Sequence, residues 1–494
     1  MKRKNILLSF LLHFAIFCFV STCTYAQTYQ PNWQSLDTRP VPEWFRNGKF
    51  GIFIHWGVYA VPGFTSKGEY AEWYQYALEH GDSTVKKYHA TNFGNNTYYQ
   101  FADRFTADLF NPDEWAKLFE ASGAKYIVLT SKHHDGFCLW PSKEANRDWG
   151  FPWNAVDAGP HRDLLGDLFT AVRKTSVHPG MYFSLYEWFN PLWKKDHQQY
   201  SMQHAWPQMQ ELINTYKPDV FWTDGEWEES DTTWQATKFL AWLYNESPVK
   251  NTVVTYDRWG RDVRFKHGLV FTPEYQPELD FANHYFEENR GMGFSYGYNR
   301  NEDIWDYNST QSLVLQLVDK VSRGGNFLLD VGPDEHGKIP PIMQERLLQI
   351  GDWMKINNES IYNTVRWKNT CQWSEGKTDY KPVRKEGDFR ASGDYMLKLT
   401  IDPDPGYAVK EFFFTYNPAT NNLYAVFPQY PANKKLLLKN MLLPKSTNIS
   451  FLSTPQKLSW KQQGNNVEVQ LPDYDPNKIK APYAYVIKIE NFGK

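Results

Sequence analysis

Short apolar runs alternate with amphipathic stretches over roughly the first two thirds of the chain. The runs are rich in strand-forming residues and do not alternate with polar positions, a pattern typical of a parallel sheet buried on both faces. Between them, apolar residues recur at helical spacing. Polar and aromatic residues gather where the runs end, which favours a (β/α)8-type barrel over a doubly wound sheet. Predicted strands are 50–57, 125–134, 181–188, 219–224, 252–257 and 324–332, and predicted helices are 112–122, 163–174, 201–216, 232–244, 312–322 and 340–356.

This α/β barrel is predicted to occupy residues 27–362, with an irregular stretch at 258–305. From about residue 363 the pattern changes to short β-like runs separated by Pro, Asn, Gly and Lys. Such a pattern predicts a C-terminal antiparallel β-sandwich over 363–494, which either packs against the barrel or binds sugar. The runs are 395–401, 411–417, 422–428, 434–441, 466–472 and 482–489.

Residues 1–26 have the pattern of a signal peptide. Basic residues 2–4 precede the apolar stretch from Ile6 to Val20, and residues 24–26 form a small-residue cleavage site. We expect export to the periplasm or the cell exterior, or to the lysosome in a eukaryote, with no membrane span. A lipid anchor on Cys23 is disfavoured because the residues before it fit a lipobox poorly.

Charge and composition narrow the function further. The net charge is −3 and becomes −6 without the three basic residues of the leader, so nothing indicates a nucleic-acid partner. No G-x-G-x-x-G follows an early strand, so no dinucleotide site is expected and no cofactor is predicted. Aromatic residues make up 17% of the chain, a content common in carbohydrate-active enzymes. The oligomeric state is not indicated.

Asp224 is the leading catalytic candidate. It ends the strand-like run of VFWTDGEW (220–227), where Trp222 and Trp227 flank it. A carboxylate at the end of a buried strand is costly to desolvate, and this end of a barrel carries the chemistry. Aromatic rings beside a carboxylate suit the apolar faces of a sugar. We interpret Asp224 as a glycosidase nucleophile, with a helix-capping Asp as the structural alternative.

Three histidines end two other predicted strands: His55 in the first, and His133 and His134 in the second. Two readings are open. The histidines could ligate a metal with Asp135, as in barrel metallohydrolases, or donate hydrogen bonds to sugar hydroxyls. Adjacent residues of a strand point to opposite faces, so His133 and His134 share a pocket only where the chain is already turning. Sugar binding fits this arrangement better than a metal site.

A glycosidase needs a second carboxyl group as acid/base. The downstream candidates are Glu274, Glu278, Glu287 and Glu288. Glu287 and Glu288 are neighbours, so in an extended segment only one can face a given pocket. Spacing alone does not choose among the four. If none were placed suitably, the chain would be a non-catalytic sugar-binding protein.

Long motifs resemble the α-L-fucosidases of glycoside hydrolase family 29 and span residues 44 to about 340. The C-terminal part is similar to the family only in its β-rich character. The matching strings are WFRNGKFGIFIHWGVYAVP (44–62), EYAEWY (69–74), YIVLTSKHHDGFCLWPS (126–142), GMYFSLYEWFNP (180–191), VFWTDGEW (220–227), YDRWG (256–260), SYGYNR (295–300) and GGNFLLDVGPDEHG (324–337).

The resemblance implies an exo-acting enzyme that releases terminal α-L-fucose from glycans by double displacement, with Asp224 as nucleophile. It implies Glu287 as acid/base, where Phe286-Glu287 replaces the family's Trp-Glu pair, and Glu288 as second choice. A metal-dependent barrel hydrolase and a non-catalytic relative are the alternatives. The implied substrate-binding residues are His55, Glu72, Trp73, His133, His134, Tyr186 and Trp222.

Overall fold

The computed structural model describes residues 28–384, 390, 395–454 and 456–492. Its first part contains a parallel sheet of six strands in the order β4-β3-β2-β1-β6-β5. The predicted barrel-type fold is confirmed, and its strands are mostly shorter than the predicted runs, by up to four residues at the carboxyl end. The strands are β1 (Phe50–Ile54), β2 (Tyr126–Lys132), β3 (Gly180–Ser184), β4 (Val220–Asp224), β5 (Glu287–Gly291) and β6 (Asn326–Val331).

Two further segments continue this sheet at its edges through isolated bridges only. Val254 pairs in parallel with Val220 of β4, and Phe271 and Glu274 pair in parallel with Phe286 and Asn289 beside β5. The strand predicted at 252–257 is therefore reduced to a single bridge. The irregular stretch predicted at 258–305 contains β5 and the segment 271–274. Together, the six strands and two bridged segments supply eight positions around the barrel.

Helices follow the strands and cover the outside of the sheet. The predicted helix 201–216 begins with a π-helical turn, Ser201–Ala205, before its α-helical part. Over the described residues the α-helices are Trp33–Leu36, Glu43–Gly48, Tyr74–Glu79, Ser83–Phe93, Pro112–Ala121, Lys143–Trp149, Leu164–Val172, Pro191–Lys195, His197–Tyr200, Trp206–Tyr216, Ala236–Asn245, Thr310–Ser322, Pro341–Asn357 and Tyr395–Lys398, and the 3-10 turns are Val58–Ala60, Ala71–Trp73, Tyr98–Arg104, Glu226–Glu228 and Asn358–Ser360.

Strand alternation separates the inside of the barrel from its helix-covered outside. One buried cluster contains Phe53, Val128, Tyr182, Trp222 and Leu328, which are alternate residues of five strands and fill the interior. The intervening apolar side chains pack under the helices in a larger cluster. The interior set continues in steps of two residues, so the same face of β1 and β4 leads up to His55 and Asp224.

The C-terminal part contains two antiparallel sheets, of five strands (β11-β14-β9-β8-β7) and three strands (β10-β13-β12). They face each other across a separate apolar cluster, as predicted for a sandwich. On the other face of the larger sheet, Phe413, Val426 and Val486 join the barrel's main cluster. The strands are β7 (Val365–Trp373), β8 (Lys410–Asn417), β9 (Asn422–Phe427), β10 (Lys435–Leu438), β11 (Ile449–Phe451), β12 (Trp460–Gln463), β13 (Asn466–Gln470) and β14 (Tyr485–Ile489).

The strand predicted at 395–401 is wrong. This segment forms the helix Tyr395–Lys398, whose Tyr395 and Met396 pack into the barrel's main cluster. A short apolar run carries no period that separates helix from strand, and Met, Leu and Lys favour a helix. β7, β11 and β12 lie outside the runs expected to form strands.

The predicted signal peptide lies outside the described residues, and the boundary between residues 362 and 363 stays a prediction. Within the described ranges, none of the helices has the length and apolar character needed to cross a membrane.

Candidate active site

A cavity of about 840 Å³ opens at the carboxyl ends of the barrel strands. This is the end of a parallel barrel where side chains from several strands converge. Seven of the predicted site residues line it: Asp224, His55, Glu72, Trp73, His133, His134 and Trp222. The cavity is also lined by Glu274, one of the four acid/base candidates from the sequence, and by Trp227, which flanks Asp224 in the sequence. Other lining residues carry no role predicted from the sequence; they include Phe53, Tyr70, Tyr182, Arg258, Asn289 and Tyr296.

Two hydrogen bonds hold the Asp224 carboxyl group at the end of β4. Arg258 donates from Nη1 to Oδ1 over 2.6 Å, and Tyr182 donates its hydroxyl to Oδ2 over 2.8 Å. His134 Nε2 lies 3.6 Å from the same Oδ2. Burial raises the pKa of Asp224, but the charge of Arg258, helped by His134 and the hydrogen bonds, outweighs it and leaves the pKa below its usual value. The carboxyl group is therefore ionised at neutral pH.

His133 and His134 reach the same pocket because the chain turns immediately after β2. The turn is closed by the N–H of Gly136, which donates to the carbonyl of His133 over 3.0 Å, and Gly136 has a φ of 80°. A side chain at Gly136 would also collide with Glu187 and Trp149. The two imidazole rings lie 4.2 Å apart, so the condition set by the sequence for sharing a pocket is met.

All three histidines are uncharged. Burial lowers the pKa of His55 to about 3 and that of His134 to about 4, and it lowers the pKa of His133 well below its usual value. The Nδ1 of His55 shares a 2.7 Å hydrogen bond with Asp330 Oδ1, and the Nδ1 of His134 lies 2.5 Å from Ser184 Oγ. Each bond fixes a ring so that its other nitrogen is available to the pocket.

A buried ion network supports the histidine turn from behind. Glu187 accepts hydrogen bonds from Lys132 Nζ and His204 Nε2, each over 2.6 Å. The next residue, Trp188, donates its backbone N–H to the carbonyl of His134 over 2.9 Å. The polar cluster thus ties the end of β2 to the loop after β3.

Glu72 and Trp73 lie in the 3-10 turn Ala71–Trp73 and form one wall of the cavity. Glu72 Oε2 accepts hydrogen bonds from the N–H of Gly297 over 2.8 Å and from Ser295 Oγ over 3.2 Å. Burial raises the pKa of Glu72 to about 7. The ring of Trp73 lies nearly parallel to that of Trp227, at 17° and 6.2 Å, which gives the wall an aromatic surface.

Glu287, the predicted acid/base, does not line the cavity. It is the first residue of β5 and pairs in register with Asn326, the first residue of β6. Its carboxyl group accepts a hydrogen bond from Tyr126, at the start of β2. Asn289, two residues further along the same face, does line the cavity, so Glu287 lies one layer below, about 7 Å towards the amino end of the barrel.

Glu288, the second choice, points out of the barrel because neighbouring strand residues face opposite sides. Its Oε2 pairs with Lys320 Nζ over 2.5 Å, and both side chains are buried. The structure therefore brings neither neighbour to Asp224, which corrects the expectation that one of them faces the pocket.

Glu274 is a cavity-lining carboxylate that shares a hydrogen-bond donor with Asp224. Arg258 donates from Nη2 to Glu274 Oε2 over 2.8 Å, while its Nη1 binds Asp224, so one guanidinium group joins both acids. Tyr70 donates its hydroxyl to Glu274 Oε1 over 2.9 Å. Glu274 was among the four candidates from sequence. Its placement depends on a segment that joins the sheet through two isolated bridges and has no strand pattern.

Tyr182 occupies the place predicted for Tyr186. Tyr182 points into the barrel from β3 and contacts Asp224, whereas Tyr186 lies beyond the strand and packs on Trp193 at 4.9 Å. Strand alternation could have found Tyr182, because Tyr182 and Ser184 share the inward face. Trp222 lies as predicted, with the guanidinium carbon of Arg258 4.5 Å from its ring centroid.

Among the described residues, no group of three or more His, Cys, Asp or Glu side chains is arranged to hold a metal ion. The rings of His55 and His134 instead share hydrogen bonds with Asp330 and Ser184. The carboxyl groups of Asp224, Glu72 and Glu274 accept hydrogen bonds from protein donors. What the cavity offers a ligand is neutral ring nitrogens, aromatic surface and several carboxyl groups, among them Asp224, Glu72 and Glu274.

A barrel with this constellation at its carboxyl end is the architecture of a glycoside hydrolase. The alpha-L-fucosidase profile matches residues 16–359, and the profile of the alpha-L-fucosidase C-terminal domain matches residues 407–490. The chain belongs to the alpha-L-fucosidase family.

Curated relatives and solved structures agree with this assignment. Human tissue alpha-L-fucosidase is 38% identical over 473 residues, covering 93% of this chain and 91% of the relative. An alpha-L-fucosidase of Branchiostoma floridae is 38% identical, covering 95% and 97%. The crystal structure of Thermotoga maritima alpha-fucosidase in complex with fucose is similar with a TM-score of 0.73 and 33% identity, covering 93% of this chain and all of that one.

The protein is thus a glycoside hydrolase with alpha-L-fucosidase activity, and its substrates are fucosylated glycans.

Proposed function

We propose that the enzyme is an exo-acting, retaining α-L-fucosidase in which Asp224 is the nucleophile and Glu274 is the acid/base. The observation that carries this proposal is Arg258, which binds both carboxyl groups at the mouth of one cavity. A retaining glycosidase needs two carboxyl groups about 5–5.5 Å apart on either side of the scissile bond. Glu274 replaces Glu287 in this role because Glu287 is enclosed below the cavity.

Arg258 and a tyrosine hydroxyl bind each of the two acids. Asp224 accepts hydrogen bonds from a cation and a phenol, which favour its charged, nucleophilic form. Glu274 is bonded through one oxygen to Tyr70 and through the other to Arg258, and its side chain is 14% exposed.

The remaining lining residues fit one deoxy sugar. The neutral rings of His55, His133 and His134 can each exchange hydrogen bonds with ring hydroxyls. Glu72 offers a carboxyl group from the opposite wall. Phe53 and Tyr296, whose rings lie 6.2 Å apart, supply an apolar floor for a methyl group in place of a hydroxymethyl group. The recognised partner is a terminal α-L-fucosyl unit of an oligosaccharide or glycoconjugate.

The reaction would proceed in two displacements. Asp224 attacks the anomeric carbon while the protonated Glu274 gives its proton to the glycosidic oxygen. Glu274 then accepts a proton from water, which attacks the same carbon and releases Asp224. Tyr182 and Arg258 stabilise the aspartate each time it regains its charge.

Azide rescue tests both assignments with an activated substrate such as 2,4-dinitrophenyl α-L-fucoside. Asp224→Gly should lower kcat/KM by at least about 10³-fold with an unchanged circular dichroism spectrum, and azide should yield β-L-fucosyl azide. Glu274→Ala with azide should yield α-L-fucosyl azide, because azide then attacks the glycosyl-enzyme. Glu287→Ala is the matched control. Rescue of Glu287→Ala but not Glu274→Ala would return the acid/base role to Glu287.

The same assays address the two rival classes. A non-catalytic sugar-binding protein would not turn over any aryl α-L-fucoside. A metal-dependent hydrolase would lose activity on dialysis against EDTA and regain it with a divalent cation, whereas the proposed mechanism predicts full activity after dialysis.

We also propose that the protein is exported and that residues 1–26 are removed. The basic, apolar and small-residue order of this leader supports the proposal. N-terminal sequencing of the mature protein should begin at Gln27, and cell fractionation should find activity outside the cytoplasm. A mature protein that retains the leader would contradict this proposal.

A further inference from the structure

One residue of the cavity wall comes from outside the barrel sequence. Arg390 lies between β7 and the helix Tyr395–Lys398, and it lines the cavity together with Tyr70, Arg264 and Glu274. The two family profiles match residues 16–359 and 407–490, so Arg390 falls in the interval that neither covers. Its presence in the pocket is a feature of this chain that the family assignment does not supply.

The guanidinium group of Arg390 is surrounded by two aromatic rings and one carboxylate. Its carbon lies 4.4 Å from the ring centroid of Tyr70 and 4.6 Å from that of Phe294, and these two rings are 5.8 Å apart. Nη2 of Arg390 donates to Glu69 Oε2 over 3.2 Å. The side chain of Arg390 is only 10% exposed. A planar cation that covers two rings and pairs with an acid restricts the motion of those rings.

Arg390 contacts Tyr70, and Tyr70 in turn hydrogen-bonds to Glu274, the proposed catalytic acid. Tyr70 uses its hydroxyl to donate to Glu274 Oε1, and Arg258 binds Oε2. Arg258 is itself fixed by Asp224 and by Thr272, to whose Oγ1 its Nε donates over 2.9 Å. Tyr70 is the second support of the Glu274 carboxyl group, and Arg390 covers its ring.

We propose that Arg390 is a positioning residue that holds Tyr70, and through it Glu274, in place to protonate the leaving group. This inference rests on the assignment of Glu274 as acid/base. A misplaced acid harms only those substrates whose leaving group needs a proton. Replacement of Arg390 should therefore lower kcat/KM more for substrates whose leaving group is more basic.

The test compares kcat/KM for phenyl and 2,4-dinitrophenyl α-L-fucosides, neither of which carries a second sugar. Arg390→Gln should lower the value for the phenyl compound by roughly tenfold, a part of the 10²–10⁴-fold that general acid catalysis supplies, and that for the dinitrophenyl compound by under about twofold. Arg384→Gln is the matched control, because Arg384 comes from the same segment and pairs with Glu278 but does not line the cavity. It should leave both values unchanged.

A double-mutant cycle with Tyr70→Phe provides the second readout. If Arg390 acts through Tyr70, adding Arg390→Gln to Tyr70→Phe should produce little further loss on the phenyl compound. Equal losses on both substrates, or fully additive losses in the cycle, would overturn the proposal. So would a loss confined to fucosyl-oligosaccharides, which would make Arg390 a direct contact of the leaving sugar. A wild-type protein inactive on both aryl fucosides would instead contradict the proposed function.

Discussion

Tyr182 donates its hydroxyl hydrogen to Oδ2 of Asp224 over 2.8 Å, from the neighbouring strand of the barrel. Strands β3 and β4 run in register, so Tyr182 lies opposite Trp222, one layer below Asp224. The phenol therefore reaches the carboxylate from beneath, while Arg258 binds its other oxygen.

Removal of this hydroxyl should weaken the nucleophile without emptying the pocket. A hydrogen bond to a charged group contributes about 1.5–3 kcal/mol, so Tyr182→Phe should lower kcat/KM for an aryl α-L-fucoside by roughly 10–100-fold. Tyr186 is four residues further along the chain and lies outside the cavity. Tyr186→Phe should therefore change kcat/KM by less than about twofold. Equal effects of the two substitutions would show that Tyr182 has no special relation to Asp224.

Because Glu287 is buried, the free energy of unfolding should depend on pH. Burial raises its pKa to about 8, far above the usual value, so the folded protein holds a proton that the unfolded chain releases above about pH 4.3. This contribution is fully present below that pH and is lost as the pH rises towards 8. Glu287→Gln removes the dependence.

The free energy of unfolding of Glu287→Gln relative to wild type should therefore rise by about 1 kcal/mol per pH unit between pH 5 and 7. Urea unfolding at several pH values measures this difference. Activity on an activated fucoside should change little, in contrast to Glu274→Gln on unactivated substrates. A pH-independent difference would show that Glu287 is ionised in the fold.

Buried His55 should change stability with pH in the opposite direction. The pKa of His55 is lowered by burial to about 3, whereas the unfolded chain protonates this residue near pH 6.5. Between these values the unfolded state binds more protons, so stability falls as the pH falls from 6.5. His55→Asn should reduce the slope by about 1 kcal/mol per pH unit between pH 4 and 6. An unchanged slope in thermal unfolding across that range would contradict the neutral form of His55.

An ion cluster should fasten the barrel to the C-terminal sheets. Lys410 of β8 binds Asp319 of the helix Thr310–Ser322 over 2.6 Å, and Arg323 binds the other oxygen over 2.8 Å. Asp319 is 2% exposed, so Lys410→Met should cost about 1–3 kcal/mol of unfolding free energy. Lys398→Met, which breaks an exposed pair with Asp402, should cost distinctly less because solvent screens that pair. Similar costs would mean that the cluster does not fasten the two parts.

The sequence was sufficient where strand pattern and pocket residue coincide. Asp224 and His55 continue the inward face of regular strands, so their side-chain direction follows from the alternation that buries Trp222 and Phe53. The histidine turn was also accessible, because Gly136 marks the point where the chain leaves the strand.

The proposed acid/base could not be located from the sequence, for a physical reason. The side chain of Glu287 points into the barrel, as expected, but it lies in a layer below the cavity. The sequence does not show at which level of the barrel a five-residue strand begins, so it does not show this layer. Glu274 lies on a segment that pairs with its neighbour through isolated bridges only and has no periodic pattern. Its position is set by Arg258 and Tyr70, which are distant in sequence or belong to other loops, so only the assembled structure reveals it. The same holds for Arg390.

The two bridged segments of the barrel have one consequence for how this scaffold can change. The stretch from Val254 to Glu274 joins the sheet only through isolated bridges. Insertions or substitutions in it therefore do not shift the hydrogen-bond register of a neighbouring strand. The nucleophile, by contrast, is anchored in a fully paired strand. Natural variants should therefore relocate the proton donor and reshape the exit for the departing sugar far more readily than they move the aspartate.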